Sequence, residues 1–233
     1  MLGHHTALRY LLLFSLLWLL SCQREPVADT GPGYDYAPVE TGRYCVYDVS
    51  EQQYALNAAP VQRNYQIKET IGTPYTDAAG QTTYQLLRYR RPNPATDWQL
   101  DSIWAVQRTD TELRRTETGQ SFVLVLFPVR NRLQWNGNRY NALGEETYEL
   151  RHVGQPYRVS DMTFDQTLTV LGQNDSTLVS QSKRLTVLAR QVGIVYRERV
   201  QVQYCSSTPA CVGTNQIDYG LRQVYRLRQY GTN

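Results

Sequence analysis

Histidine is the side chain that most often carries acid–base or metal chemistry near neutral pH. The chain has only three histidines, and His4 and His5 lie in a segment that we predict to be removed on export. His152 would then be the one histidine of the mature protein, too few for a multi-histidine zinc site. The sequence also lacks a phosphate-binding glycine loop and a nucleophile elbow. It therefore predicts no cofactor, no metal site and no histidine-based catalysis.

Two pairs of acidic residues could in principle supply the acid and the base of a glycosidase. One pair is Glu145 and Glu146, and the other is Asp161 and Asp165. Adjacent residues on a strand point to opposite faces, and the two aspartates flank a turn-like stretch, so neither pair should converge on a substrate. We interpret both pairs as solvated charges and predict a protein that is not an enzyme.

Arginine interleaved with aromatic residues is the pattern that remains as a possible binding site. Guanidinium groups stack on aromatic rings and hold anions, and aromatic rings stack on sugars. We predict possible ligand contact at five residues of this kind: Arg88, Tyr89, Arg90, Trp98 and Trp104. The alternative, that the aromatic residues belong to the hydrophobic core, stays open from the sequence.

The four cysteines indicate an oxidising compartment. Cys205 and Cys211 flank a short loop, and we predict a disulfide between them. Cys45 would be left as a small buried hydrophobic residue. Cys22 has a different surrounding, because it follows an apolar run, 11–20, that is too short to span a bilayer but typical of a signal peptide.

The residues before Cys22 resemble a bacterial lipobox, in which a small residue precedes a cysteine that becomes the lipidated N-terminus. By resemblance to known lipoprotein sorting rules, Gln23 in place of an aspartate favours the outer membrane over the inner one. Several acyl chains on one cysteine are enough for stable anchoring without a spanning helix. We therefore predict a signal peptide at 1–21, a lipidated flexible tether at 22–38 and an antiparallel β domain at 39–233.

Composition and pattern both favour an all-β globular domain. The 233 residues are 41% hydrophobic with a formal net charge of +3, which excludes a disordered chain and argues against nucleic acid as a partner. Short runs of alternating apolar and polar residues predict strands at 65–71, 83–89, 102–108, 194–204 and 220–230. We predict a single antiparallel domain, a curved sheet or an open β-barrel or sandwich, with few or no helices.

Finer features of the sheet can also be predicted. The run 121–127 is apolar on both faces, as is typical of a central strand. Asn136 and Gly137 suit the tight turn of a hairpin. The last two alternating runs should pair as a hairpin, with Tyr196 and Val200 on the same face as Tyr225 or offset from it. The only short helical turns that the sequence allows are at 39–47 and 183–191.

Several motifs together resemble a family of uncharacterised β-rich outer-membrane lipoproteins of Bacteroidota, each with a lipobox, a short tether and one β domain. Cys45 departs from the family pattern, which places a tryptophan there. The resemblance implies a cell-envelope location and an all-β fold, and it brings no catalytic residues. The matching motifs run in order through the mature chain, at 35–38, 42–47, 88–91, 101–104, 127–129, 135–141, 164–170 and 192–198.

Together these features predict a lipid-anchored cell-envelope protein, periplasmic or surface-exposed, that acts as a non-enzymatic binding or structural module. Besides the membrane that holds its lipid, its partner would be an envelope protein, a glycan or an apolar ligand. The alternative is a carrier that encloses an apolar ligand in an open β-barrel, since barrels of about eight strands can hold one small molecule.

Overall fold

Alternating residue patterns form twelve β-strands in the computed structural model, which describes residues Gly31–Asn233. The single 3-10 helix of this described part is Tyr34–Tyr36, and no described helix is long and apolar enough to cross a membrane. The strands are β1 Arg43–Tyr54, β2 Val61–Thr76, β3 Thr82–Arg91, β4 Gln99–Arg108, β5 Glu112–Glu117, β6 Gln120–Leu126, β7 Gln134–Asn136, β8 Thr147–Val159, β9 Met162–Ser176, β10 Ser180–Ala189, β11 Gly193–Tyr204 and β12 Ile217–Thr232.

All twelve strands form one antiparallel sheet, nearly closed into a barrel, which confirms the predicted all-β class. The order is β6-β5-β4-β3-β2-β1-β12-β11-β10-β9-β8-β7. Strands β1 and β12 join the two halves, with Arg43 opposite Thr232 and Tyr54 opposite Gly220. Because every neighbouring pair is antiparallel, the hairpin loops alternate between the two ends of the barrel.

The seam between β6 and β7 is closed by side chains and by the segment after β7. Trp135 Nε1 donates to the Val123 carbonyl at 2.8 Å, and the Val123 amide donates to Gly137 at 2.9 Å. Asn141 Nδ2 donates to the Ser121 carbonyl at 2.8 Å. The prediction of a central strand at 121–127 is therefore wrong. Strand β6 ends the sheet order, and it is apolar on both faces because this segment covers it.

One end of the barrel is plugged by the first described residues. The side chain of Tyr36 is fully buried, and Val39 also belongs to the hydrophobic core. Arg190 forms an ion pair with Asp35 at 2.8 Å, and the Val129 amide donates to the Pro32 carbonyl. We call this the closed end. The tether boundary predicted at Pro38 is too late, because these aromatic and apolar side chains already pack against the strands.

Two local predictions are wrong. Asn136 and Gly137 do not form a tight hairpin turn: Asn136 ends β7 opposite Thr147 of β8, and the connection runs through 137–146. The stretches 39–47 and 183–191 are mostly strand, in β1 and β10. Their alternation is broken by irregularities in register, one of them between Val46 and Tyr47, so a period-2 pattern was not visible there.

The predicted hairpin of β11 and β12 is confirmed, and so is the Cys205–Cys211 disulfide, with 5.6 Å between the two Cα atoms. The predicted alignment of faces is offset by one residue. Tyr196 pairs with Arg226, and Tyr225 pairs with Arg197. Since side chains alternate between faces, this offset places Arg197 on the same side of the sheet as Tyr225.

Candidate functional site

A cavity of about 480 Å³ fills the barrel above the plugged end. Its lining includes Thr118 from the β5–β6 turn and Leu143 from the loop after β7, so it reaches the end opposite the plug, which we call the open end. A volume of this size lies within the range of small-molecule sites. The described chain begins at Gly31 on the closed end, opposite the cavity mouth.

The cavity wall is rich in arginine. Six guanidinium groups from four regions of the sheet contribute to it, against three acidic residues, Asp101, Glu117 and Glu198. Two of these acids are already paired, Glu117 with Arg197 and Glu198 with Lys183. The cavity therefore carries an excess of positive charge. The arginines are Arg88 and Arg90 on β3, Arg115 on β5, Arg184 on β10, and Arg197 and Arg199 on β11.

At the bottom of the cavity every guanidinium group has a carboxylate partner. Both oxygens of Glu69 accept from Arg115, at 2.5 and 2.9 Å, and Arg88 Nε lies 3.4 Å from the same carboxylate. Arg115 and Arg197 both pair with Glu117, at 2.7 and 3.1 Å. This chain of ion pairs joins β2, β3, β5 and β11 across the barrel. It stabilises the charges of buried groups, each of which would be costly alone.

Towards the open end, not every guanidinium group has a carboxylate partner. Arg184 pairs with Glu146 at 3.0 Å, but among the described residues Arg199 has no carboxylate partner and only donates to Gln201 Oε1 at 3.0 Å. Partial loss of hydration, followed by the positive charges of Arg184 and Arg197, lowers the pKa of Arg199. An anion placed beside Arg199 would relieve this repulsion, so the charges of the wall are complementary to an anionic group.

The rest of the wall is aromatic and apolar. Phe122, Tyr148 and Tyr225 line it together with Ile67 and Val170. Tyr148 lies edge-on to Trp135 at 5.9 Å between ring centroids, and its hydroxyl oxygen accepts a hydrogen bond from Arg184 Nη1 at 2.9 Å. A molecule with an apolar body and one anionic group would therefore meet matching chemistry on both parts.

The structure divides the predicted arginine–aromatic cluster. Arg88, Arg90 and Trp104 line the cavity, whereas Tyr89 lies on the opposite face of β3, because side chains alternate along a strand. Trp98 lies outside the cavity lining, where Arg91 stacks over its ring at 4.2 Å.

The arginines of this cluster are already stacked on rings of the protein. Arg88 lies 3.7 Å from the centroid of Trp104, and Arg90 lies 3.9 Å from that of Tyr65. Arg88 is buried. The stacks fix the positions of these guanidinium groups within the wall. Arg90, which is exposed, remains the member of the cluster best placed to meet a ligand.

The other residues considered from the sequence lie apart from one another. His152 is exposed with a φ of 54°, and Asp161 lies exposed between β8 and β9. Glu146 is held by Arg184, while Glu145 is exposed. Burial raises the pKa of the Cys45 thiol to about 12, so this thiol is protonated at neutral pH. Within Gly31–Asn233 no three acidic, histidine or cysteine side chains gather as metal ligands.

Sequence analysis missed the arginines of the opposite wall, Arg184, Arg197 and Arg199. They lie on strands remote in sequence from β3, so their proximity depends on barrel closure. The available signal was the alternation of Arg197 and Arg199 with Val200 and Val202. That alternation shows that one face of β11 is cationic, but it does not show which face points inward.

Comparison of this chain with models of protein families, with curated proteins and with solved structures finds no match.

Proposed function

We propose that this protein is a binding module of the cell envelope whose barrel cavity takes an amphipathic anion. The observation that carries the proposal is Arg199, a guanidinium at the cavity mouth that lacks a carboxylate partner among the described residues and is flanked by Arg184 and Arg197. The apolar and aromatic wall accounts for the non-polar body of the ligand. The alternative considered from the sequence was a carrier of an apolar ligand. The proposal narrows the ligand to one that also carries an anionic group.

Two fluorescent probes test the charge requirement. We expect 8-anilinonaphthalene-1-sulfonate, which carries one negative charge, to bind more tightly than the uncharged N-phenyl-1-naphthylamine. Arg199→Gln should weaken binding of the sulfonate by about tenfold or more, since a hydrogen bond between charged groups contributes about 1.5–3 kcal/mol. The same change should leave the affinity for the uncharged probe nearly unaltered. Fluorescence titration measures both affinities.

Arg158→Gln is the matched control, because Arg158 is exposed on β8 and does not line the cavity. It should change neither affinity. Equal binding of the two probes, unaffected by Arg199→Gln, would instead support a carrier of purely apolar ligands. Absence of binding by both probes would contradict a ligand-binding cavity altogether.

We further propose that Cys22 is acylated and anchors the module to the outer membrane. The support is the resemblance of the residues before Cys22 to a lipobox. Cys22→Ala should abolish acylation and move the protein from the membrane fraction to the soluble fraction. Cys45→Ala serves as the control and should stay with the membrane. Mass spectrometry of the N-terminal peptide and fractionation after a high-salt wash measure the outcome, and a Cys22→Ala protein that stays membrane-bound would refute the anchor.

A further inference from the structure

Three neighbouring hairpin loops at the open end contain no charged residue, although 19% of the chain is charged. They are the β1–β2 loop 55–60, the β9–β10 loop 177–179 and the β11–β12 loop 205–216. The sheet order places their strands side by side. A methyl group built on Gly213 would lie 3.7 Å from Leu178, so the last two loops adjoin each other. We call these three loops the rim arc.

The tips of the rim arc carry exposed apolar side chains. Leu178 is 66% exposed, Leu56 46%, Val179 44% and Val212 38%. Isolated exposed hydrophobic residues are common on protein surfaces, but a group of them without an intervening charge marks a site of interaction.

A row of tyrosines lies behind these tips. Tyr219, near the start of β12, is 47% exposed, whereas Tyr54 at the end of β1 packs against the buried Tyr204 at the end of β11. The Tyr204 hydroxyl donates to Gln181 at 3.2 Å. Tyrosine combines an apolar ring with a polar hydroxyl, and in proteins that contact lipid it is enriched at the depth of the headgroups.

The loops satisfy much of their own backbone hydrogen bonding. The Cys205 amide donates to Gln216 at 2.8 Å, the Thr177 amide to Ser180 at 2.8 Å, and the Ala58 amide to Ala55 at 3.2 Å. The Cys205–Cys211 disulfide further restrains the longest loop. Paired backbone groups cost less to move into a medium of low polarity than unpaired ones.

We infer that the rim arc is a membrane-docking surface whose occupant is the surface of a lipid bilayer. The apolar side chains stand on the tips of separate loops, which a deformable bilayer accommodates, whereas a protein partner would need a matching pocket for each tip. The nearest charges on the six flanking strands are of both signs in equal number: Glu51, Asp175 and Asp218 against Arg63, Lys183 and Arg199. Docking therefore depends on apolar insertion and not on anionic lipid.

The test uses the unacylated chain from Gln23 to Asn233 with vesicles of pure phosphatidylcholine. This chain retains every described strand and both hydrophobic clusters. We expect it to float with the vesicles in a density gradient and to remain bound at high salt. Leu178→Asp combined with Val212→Asp should reduce the bound fraction at least tenfold. Leu100→Asp is the matched control, because Leu100 is 56% exposed on β4 outside the rim arc, and it should bind as the parent chain does.

Failure of the parent chain to float would overturn the inference. Flotation that Leu178→Asp with Val212→Asp leaves unchanged would overturn it as well, as would binding that needs phosphatidylglycerol and is released by salt. Light scattering without vesicles tests for a different occupant of the rim arc, a second copy of the chain. If the parent chain self-associates and the double variant does not, while neither floats, a second copy covers the rim arc and the bilayer does not. The cavity probes report on a different surface, so their outcome is independent of this one.

Discussion

Replacement of Glu69 by glutamine should lower the free energy of unfolding by about 3 kcal/mol or more. Glu69 is 6% exposed and balances two buried guanidinium groups, Arg88 and Arg115. Glutamine keeps the shape of the side chain but removes its charge, which leaves only Glu117 to compensate three arginines of the network. Uncompensated charge in a buried site typically costs about 3–5 kcal/mol. Urea denaturation followed by tryptophan fluorescence measures the change.

Glu40→Gln provides the control for this prediction. Glu40 pairs with Arg43 at 3.0 Å, but its side chain is 68% exposed, and exposed ion pairs contribute between about 0 and 1 kcal/mol. The stability of this variant should stay close to that of the parent protein. Similar losses in the two variants would show that the network in the barrel is no more important than a surface pair.

The same network predicts sensitivity to acid. Burial alone would raise the pKa of Glu69, but Arg115 and Arg88 outweigh it and lower the pKa to about 2, from an ordinary value of 4.5. Because the folded-state pKa is the lower one, this group contributes its full stabilisation above about pH 4.5. The contribution is lost as the pH falls towards about 2. The parent protein should therefore lose more stability over this interval than Glu69→Gln does.

Gly220→Ala should destabilise the protein by about 3 kcal/mol. Gly220 has a φ of 126° and lies between Tyr54 of β1 and Val202 of β11 in the sheet. A methyl group there would lie 2.6 Å from the Val202 Cα atom and closer still to the Gln201 carbonyl oxygen. Both contacts are with backbone, so the strands must separate locally. Backbone strain and steric overlap each cost roughly 1–3 kcal/mol. Thermal and urea denaturation measure the loss.

Gly80→Ala separates the cost of backbone strain from the cost of steric overlap. Gly80 also has a positive φ, 77°, but no atom lies within 4 Å of the position a methyl group would take. Its substitution should cost only about 1 kcal/mol, the conformational part alone. A Gly220→Ala variant as stable as Gly80→Ala would show that β11 and β12 can move apart without loss.

Alternation was sufficient to predict five of the twelve strands, β2, β3, β4, β11 and β12, because polar and apolar side chains alternate between the two faces of each. It failed where both faces are covered. Residues 186–189 in β10 are all buried, and register shifts interrupt the pattern on either side of Leu185. Strand β6 was predicted as central for the same reason. Its second face is covered by Trp135 of β7 and by the segment that follows β7, and no local pattern reports such coverage.

The candidate site could be predicted only on the side where its residues are close in sequence. Arg88, Arg90 and Trp104 lie on the adjacent strands β3 and β4, and the interleaving of arginine with aromatic residues there was sufficient to predict a cluster. Arg197 and Arg199 lie on a strand remote in sequence from that cluster, and charged side chains usually face water. Barrel closure reverses that expectation. The charged face of β11 turns inward, where Glu117 of β5 meets Arg197, and the apolar face carries Val200 and Val202.

The pairing of β1 with β12 has a consequence for how the chain must fold. Arg43 lies opposite Thr232, so the two halves of the sheet are joined by contacts that span nearly all the described sequence. Each half is otherwise a meander of short-range hairpins that can form early. The joining step requires closure of the largest loop in the chain, which makes it slow compared with hairpin formation. Until β12 is in place, the edge of β1 that faces it has no partner strand, so the sheet is complete only after the last strand of the chain pairs.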